Sequence, residues 1–362
     1  MRGENGLGKY KIGVLSGDGI GPEIVSATTS VLEAVTKKLG ISLDLVDLPI
    51  GWEAIKLYDN PIPPSTKDLL KTCHGWILGP HDSASYPDEF KSVRNPSGEI
   101  RNYFDLYANI RPARTLPNIE SVVGHADLVI FRENTEGFYS DRNMFSGEGE
   151  WQITPDVVVS TGVFTKKAIS RIAHAAFKVA MERRKKVTIV HKANVIKLGS
   201  GLFLNTCHEI AEQYPEVTVD DYHIDAMAAH LVRRAGDFDV IVTENMFGDI
   251  LSDLTGELVG SLGMAPSINV NDTQAMAQAA HGSAPDIAGQ NIANPIGLML
   301  STVMLFKWLS SHYQDKQLEQ VGELIEKSIF ATLEANILTP DLHGNATTTE
   351  FTQAIIDTIS AT

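Results

Sequence analysis

The stretch NMFGDILSDL, Asn245 to Leu254, sets two aspartates, Asp249 and Asp253, four positions apart. On a helix that spacing puts both carboxylates on one face. Like charges so placed repel by roughly 0.2–0.5 kcal/mol in an isolated helix, and a bound divalent cation reverses the penalty. Few hard oxygen ligands, with room left for water and substrate, suit Mg²⁺ or Mn²⁺. A solvated helix face is the commoner reading of a bare pair. What favours a site is the apolar run Val240 to Thr243 upstream and Gly248 between. They set the pair where a strand gives way to a helix, a usual site position in α/β proteins. Asp225, in YHIDAMA from Tyr222, is a third carboxylate at the start of an apolar helix. It reads as a helix N-cap, and capping does not exclude metal binding.

The segment GDGIGP, Gly17 to Pro22, invites comparison with a dinucleotide fingerprint. That fingerprint needs its third glycine where Pro22 stands, with Gly21 one residue early. Proline is favourable in a first helical turn. The expectation is a tight turn that opens a helix, not a pyrophosphate site.

These residues need elements to hold them. Apolar runs predict strands at Lys11 to Leu15, Ser42 to Leu48, Gly75 to Leu78, Leu128 to Arg132, Val187 to His191 and Val240 to Thr243. Helical periodicity predicts helices over Glu23 to Leu39, Ser65 to Lys71, Thr165 to Arg184, Phe203 to Gln213, Ala226 to Arg234, Pro295 to Trp308 and Leu318 to Ala335. The alternation argues for a mostly parallel or mixed sheet covered by helices. Phe138 to Pro155 is polar and glycine-containing and runs into a β-rich stretch, Asp156 to Thr161. It reads as a projecting arm at a dimer contact or as an ordinary surface excursion.

The chain of 362 residues implies two domains or one large α/β unit. Apolar residues make up 43% and charged residues 21%, a globular mix. A formal net charge of −15 repels a phosphate backbone, so nucleic acid is not expected as a partner. Cys73 and Cys207 stand far apart and form neither a disulfide framework nor a zinc knuckle. No signal-peptide pattern opens the chain, and no window of ~18 apolar residues offers a membrane span. The cytoplasm is the expected compartment, with the mitochondrial matrix as the alternative. There is no internal repeat.

Several colinear motifs point further. GDGIGPE (Gly17 to Glu23), DLYANIRP (Asp105 to Pro112), RENTEGFY (Arg132 to Tyr139), HKAN (His191 to Asn194), NMFGDILSD (Asn245 to Asp253), HGSAPDIAG (His281 to Gly289) and ATTTEF (Ala346 to Phe351) span almost the whole chain. Through them it resembles the β-decarboxylating dehydrogenases of isocitrate, isopropylmalate, homoisocitrate and tartrate or D-malate. The resemblance implies an α/β isocitrate/isopropylmalate dehydrogenase-like two-domain fold with a large mixed sheet, not a standard Rossmann fold. Residues 1–104 with 255–362 would form a large cofactor domain. Residues 105–254 would form a smaller substrate and dimerisation domain, with an arm near 138–161. The active site would lie in the cleft between them. Family members are homodimers, some tetramers, with shared sites.

The resemblance also assigns roles. Arg101, Arg111 and Arg132 match the substrate arginines, and guanidinium forks suit a polycarboxylate. Lys192 matches the general base and Tyr139 the proton donor to C3. Asp225, Asp249 and Asp253 match the ligands of Mg²⁺ or Mn²⁺, with Lys192 and Asp225 supplied by the partner subunit. His281, Gly282, Ser283, Ala284, Asp286, Ile287 and Asn294 match the NAD segment. Asn194 and Glu136 match contacts on the nicotinamide side. Asp286 would accept from the adenosine ribose and repel the 2′-phosphate of NADP.

The substrate is read from RNPSGEIR, Arg94 to Arg101. Isopropylmalate enzymes put leucines where Ser97 and Gly98 stand, and burying such a side chain is worth ~1.5–3 kcal/mol. Their absence favours isocitrate or homoisocitrate, with Arg94 able to reach a distal carboxylate. NTEG, Asn134 to Gly137, points the same way. Against isocitrate, Asn95 and Ser97 stand in reversed order and Leu78 replaces a lysine. The segment PHDSASYP, Pro80 to Pro87, departs from every branch. Isopropylmalate and tartrate or D-malate dehydrogenases are the alternatives. A non-catalytic regulatory paralogue would lose part of the Lys/Tyr/Asp set, all of which is present. A metal-dependent lyase or hydrolase would share the carboxylates without requiring Asp286.

Overall fold

The computed structural model describes residues 10–91, 93–139, 147 and 149–362. Its strands are β1 (Tyr10–Leu15), β2 (Leu43–Asp47), β3 (Gly75–Leu78), β4 (Ala108–Arg114), β5 (Asp127–Glu133), β6 (Glu150–Thr154), β7 (Val157–Ser160), β8 (Lys186–His191), β9 (Thr218–His223), β10 (Val240–Thr243), β11 (Ile268–Val270) and β12 (Ala275–Ala277). Ten of them follow one another in a mixed sheet in the order β2-β1-β3-β12-β11-β4-β5-β10-β8-β9. This is not the 3-2-1-4-5-6 order of the dinucleotide-binding fold. β3 and β10 are buried along their whole length. That is why they read as unbroken apolar runs and not as alternating ones.

The chain divides into two compact units. Unit 1 comprises residues 1–96, 266–268 and 273–362, and unit 2 comprises 97–265 and 269–272. The boundaries fall at 96/97 and 265/266, which leaves one helix near the second boundary whole. A cut at 254 would sever the helix Asn245–Val259, whose Leu251, Leu258 and Val259 share a core with Ile130 and Ile241.

In unit 1 the glycine turn behaves as a helix opener. Gly17 and Gly19 take left-handed φ values of 71° and 59°, and the helix Gly21–Leu39 starts with proline in its first turn. It ends at Gly40, whose left-handed backbone lets its N–H reach the last carbonyls. The helix Ile296–Tyr313 is apolar nearly all round and accordingly buried. The last helix, Thr348–Ala361, opens with a full capping box between Thr347 and Glu350.

In unit 2, β4 and β5 run antiparallel, while β5, β10, β8 and β9 are parallel. β6 and β7 form a separate antiparallel hairpin with Trp151, Ile153 and Val158 more than half exposed. It lies inside the predicted arm, of which residues 140–146 and 148 fall outside the described residues. Among the described residues, no helix is long and apolar enough to cross a membrane.

Candidate active site

Two antiparallel strands and one helix of unit 2 converge on Asp249. Arg111 projects from β4 and Arg132 from β5. Both are almost completely buried, at 5% and 2% exposure. The helix Asn245–Val259 presents Asp249 and Asp253 to them. Arg132 forms a close ion pair with Asp249 Oδ1. Arg111 Nη1 reaches the same oxygen at 3.3 Å and Asp253 Oδ1 at 3.6 Å. The Tyr139 hydroxyl donates to Asp249 Oδ2 at 2.9 Å.

The neighbours fix this geometry. Asn245 Oδ1 accepts from Arg132 Nε (3.1 Å) and Nη2 (2.9 Å). Asn109 Oδ1 accepts from Arg111 Nε at 3.0 Å, and Ser252 Oγ accepts from its Nη1 at 2.6 Å. Gly248 is required where it stands, because a β-carbon there would sit 2.7 Å from Arg132 Cβ and 2.6 Å from its Cγ.

The electrostatics follow. Burial alone would raise Asp249, but the Arg132 and Arg111 guanidiniums outweigh it and hold the carboxyl below its usual range. Burial raises Asp253, with Arg111 opposing. Arg111 is brought down to about 10 by burial and then by the like charge of Arg132. Asp253 Oδ1 is buried without a hydrogen-bond partner among the described residues. A buried carboxylate oxygen left over beside a second carboxylate fits a hard divalent cation. Arg101, 7% exposed, lies in the same unit on the helix Pro96–Tyr103, and its charge also acts on Asp249. Ser97 and the buried Gly98 fall in the first turn of that helix. Arg94 belongs to unit 1.

Lys192 and Asp225 form a second pair at the ends of β8 and β9. Lys192 Nζ lies 2.6 Å from Asp225 Oδ1, and this hydrogen bond lowers the carboxyl's pKa. Asp225 is not the N-cap: His223 holds that position, and Asp225 lies in the first turn of Ile224–Arg234 with its carboxylate on Lys192. Within one chain, no group of three metal-ligating side chains is assembled among the described residues. Asp249 and Asp253 come together, and Asp225 is not with them.

Unit 1 carries the segment His281 to Asn294. The Ser283 carbonyl accepts from Ile20 N at 2.8 Å, and Ala284 takes a φ of 36°. Asp286 is exposed on a turn, as expected after proline. Ile287 is half-buried and Gly282 exposed. Asn294 is buried, donates to Asp341 Oδ2 at 2.9 Å and accepts from Ile296 N at 3.0 Å. His281 Nε2 is buried with no partner among the described residues, and burial lowers the ring's pKa. An unsatisfied ring nitrogen in the same segment as an exposed carboxylate fits an adenosine moiety. Glu23 props the segment from behind, accepting from Ala293 N at 2.9 Å and from Thr348.

In unit 2, Asn194 is exposed on the turn after Lys192. Glu136 accepts from Thr165 N and Oγ, both at 2.8 Å, so it anchors the helix Lys166–Glu182. Sequence reasoning missed Asn109, Asn245 and Ser252, which orient the arginines. Asn245, at the head of the aspartate helix, was the one with a positional signal.

Comparison with known proteins agrees along nearly the whole chain. The family model for isocitrate/isopropylmalate dehydrogenase matches residues 11–355. An isocitrate/homoisocitrate dehydrogenase of Thermus thermophilus is 41% identical over 97% of this chain and 99% of its own length. A 3-isopropylmalate dehydrogenase of Aquifex aeolicus is 40% identical, covering 97% and 96%. The solved isocitrate dehydrogenase of Methylococcus capsulatus superposes with a TM-score of 0.87 at 35% identity, over 97% of this chain and 99% of that one.

Proposed function

Because the chain belongs to the isocitrate/isopropylmalate dehydrogenase family of oxidoreductases, we propose that it oxidises a 2-hydroxy polycarboxylate with NAD and releases CO₂. The observation that carries this reading is the pair of buried guanidiniums, Arg111 and Arg132, meeting Asp249, Asp253 and Tyr139 in unit 2.

The overall change is balanced as 2-hydroxy acid plus NAD⁺ to 2-oxo acid, CO₂ and NADH, with C3 reprotonated after the carboxylate leaves. NAD supplies the hydride acceptor at C2, and Mg²⁺ or Mn²⁺ supplies a Lewis acid at the oxygen on C2 when bound. Arg101, Arg111 and Arg132 bind the substrate carboxylates and orient C2. Lys192 takes the hydroxyl proton, and the Tyr139 phenol returns a proton to C3. Asp249, Asp253 and Asp225 would hold the cation. His281 to Ile287 and Asn294 would hold the adenosine, with the exposed Asp286 selecting NAD over NADP. Asn194 lines the nicotinamide side.

Lys192 and Asp225 pair away from Asp249 within one chain, which supports a homodimer whose sites draw on both copies. The exposed apolar residues of hairpin β6–β7, with the exposed Val195 and Leu198, supply surface for that contact. Two free cysteines suit a reducing compartment such as the cytoplasm.

Ser97 and Gly98 offer no apolar wall for an isopropyl group, so isocitrate or homoisocitrate is the favoured substrate. The 40% identity to an isopropylmalate dehydrogenase keeps that acid as the second reading. The decisive experiment measures NADH formation with Mn²⁺ and a panel of isocitrate, homoisocitrate, isopropylmalate, tartrate and D-malate. Turnover of a tricarboxylate above isopropylmalate is expected. No NADH from any acid would refute the reading.

A further inference from the structure

Lys192 stands one residue beyond the end of β8, and the residue before it, His191, is buried at 3% exposure. The His191 ring is held through both nitrogens. Nδ1 lies 3.1 Å from Ala193 N, and Nε2 lies 3.0 Å from Asp221 Oδ1 on β9. A backbone N–H can only donate and a carboxylate can only accept, so the two partners together assign the tautomer. The proton sits on Nε2, and Nδ1 is the acceptor. His223, opposite His191 in the β8–β9 register, meets the ring edge to face at 5.1 Å.

The bond from Ala193 bears directly on Lys192. The Lys192 carbonyl accepts from Val195 N at 3.0 Å and from Ile196 N at 2.9 Å. The N–H of that same peptide unit, on Ala193, donates to His191. The planar peptide that follows Lys192 is therefore pinned at its carbonyl and at its N–H. On the other side the backbone enters from β8. Both flanks being fixed, the direction in which the lysine side chain leaves the backbone is fixed with them. The imidazole does here what an asparagine or aspartate side chain does in a turn, accepting from the N–H two residues on.

We propose that His191, kept as the Nε2–H tautomer by Asp221, is a positioning residue for the base: through the Ala193 N–H it holds the turn that aims the Lys192 amine and carries Asn194. The inference rests on the dehydrogenase reading above, in which Lys192 takes the hydroxyl proton. An amine on a flexible four-carbon stem meets a reacting proton productively only from a fixed root. Loosening that root costs turnover and leaves the arginines that bind the acid untouched.

The test compares wild type with His191→Asn and His191→Leu, with Mn²⁺ and saturating NAD, on the acid of the panel that the wild type turns over best. Asparagine can set Oδ1 where Nδ1 stands and accept from Ala193 N. Leucine fills the buried space better and accepts nothing. In His191→Leu kcat is expected to fall about 10–100-fold, and in His191→Asn by less than about threefold, with KM for the acid and for NAD little changed in both. A packing role ranks the two variants the other way, because asparagine leaves the larger void. Two readouts are independent of turnover. Amide exchange at Ala193 should quicken in His191→Leu and stay slow in His191→Asn, and the NMR spectrum of the wild-type ring should show a protonated Nε2 and a bare Nδ1. A protonated Nδ1, or a kcat for His191→Leu equal to or above that of His191→Asn, overturns the proposal alone. If His191→Leu does not fold, His191→Gln, whose amide reaches the Nε2 position, takes its place. A wild type that reduces NAD with no acid of the panel removes the dehydrogenase reading, and the proposal falls with it.

Discussion

Gly248 shows how little freedom the site leaves at single residues. Its missing β-carbon is the space that Arg132 fills. Gly248→Ala should destabilise the protein by about 1–3 kcal/mol, the usual cost of overpacking, and raise KM for the acid by displacing Arg132. Denaturant unfolding and steady-state kinetics read both effects, and an unchanged KM would show that Arg132 does not touch substrate. Lys192 makes the opposite case. Among the described residues its side chain pairs with the exposed Asp225 carboxylate, so little stability depends on it. Lys192→Ala should abolish NADH formation with the melting temperature nearly unchanged, and residual wild-type turnover would remove it as the base. Under the proposed function Asp286 and Ile287 carry cofactor choice. In Asp286→Lys with Ile287→Tyr, kcat/KM should shift from NAD toward NADP, and a retained NAD preference would show that the choice is made elsewhere.

At the scale of elements, unit 2 is built around carboxylates buried at element ends. Glu244 precedes the helix Asn245–Val259, is 4% exposed and accepts from Ser200 Oγ. Burial pushes its pKa from 4.5 up to about 7, and Glu136 behaves alike. A raised carboxyl pKa contributes stability below the unfolded value near 4.5, and that contribution is lost as pH rises through about 7. The melting temperature should therefore fall between pH 5 and 8. Glu244→Gln keeps an acceptor for Ser200 without the charge, so its fall over that interval should be smaller. An identical slope would show that Glu244 is ionised throughout.

Elements also divided into those the sequence revealed and those it hid. β3 and β10 matched their predicted limits because both are buried on two faces, which leaves an uninterrupted apolar run. β4 escaped because ANIRPAR mixes two arginines and a proline into a strand, yet Arg111 is tolerated there because Asp249 and Asp253 of the aspartate helix neutralise it. β11 and β12 are three residues each, too short for any periodicity. The aspartate pair was legible as a helix face. The Asn245 hydrogen bonds that aim Arg132 join positions 113 apart, which no local pattern encodes.

For the whole molecule, the candidate ligands and base separate into two groups within one chain among the described residues, and the proposed homodimer would make activity depend on assembly. The exposed side chains of Trp151 and Ile153 lie on the β6–β7 hairpin. Trp151→Ser with Ile153→Ser should shift the sedimentation coefficient from dimer to monomer and remove NADH formation together with it. A fully active monomer would show that one chain completes its own site.

The discontinuity of unit 1 orders events during synthesis. Residues 97–265 of unit 2 leave the ribosome as one unbroken stretch, needing only 269–272 to be complete. Unit 1 has to wait, because Glu23 finds its partners only when Ala293 and Thr348 have been made. A growing chain therefore possesses its buried arginines and paired aspartates while the cofactor segment still lacks its prop. Ribosome-stalled chains ending before Thr348 would hold unit 2 folded and unit 1 unfinished, so under the proposed function competence for NAD follows the placing of the acid-binding residues.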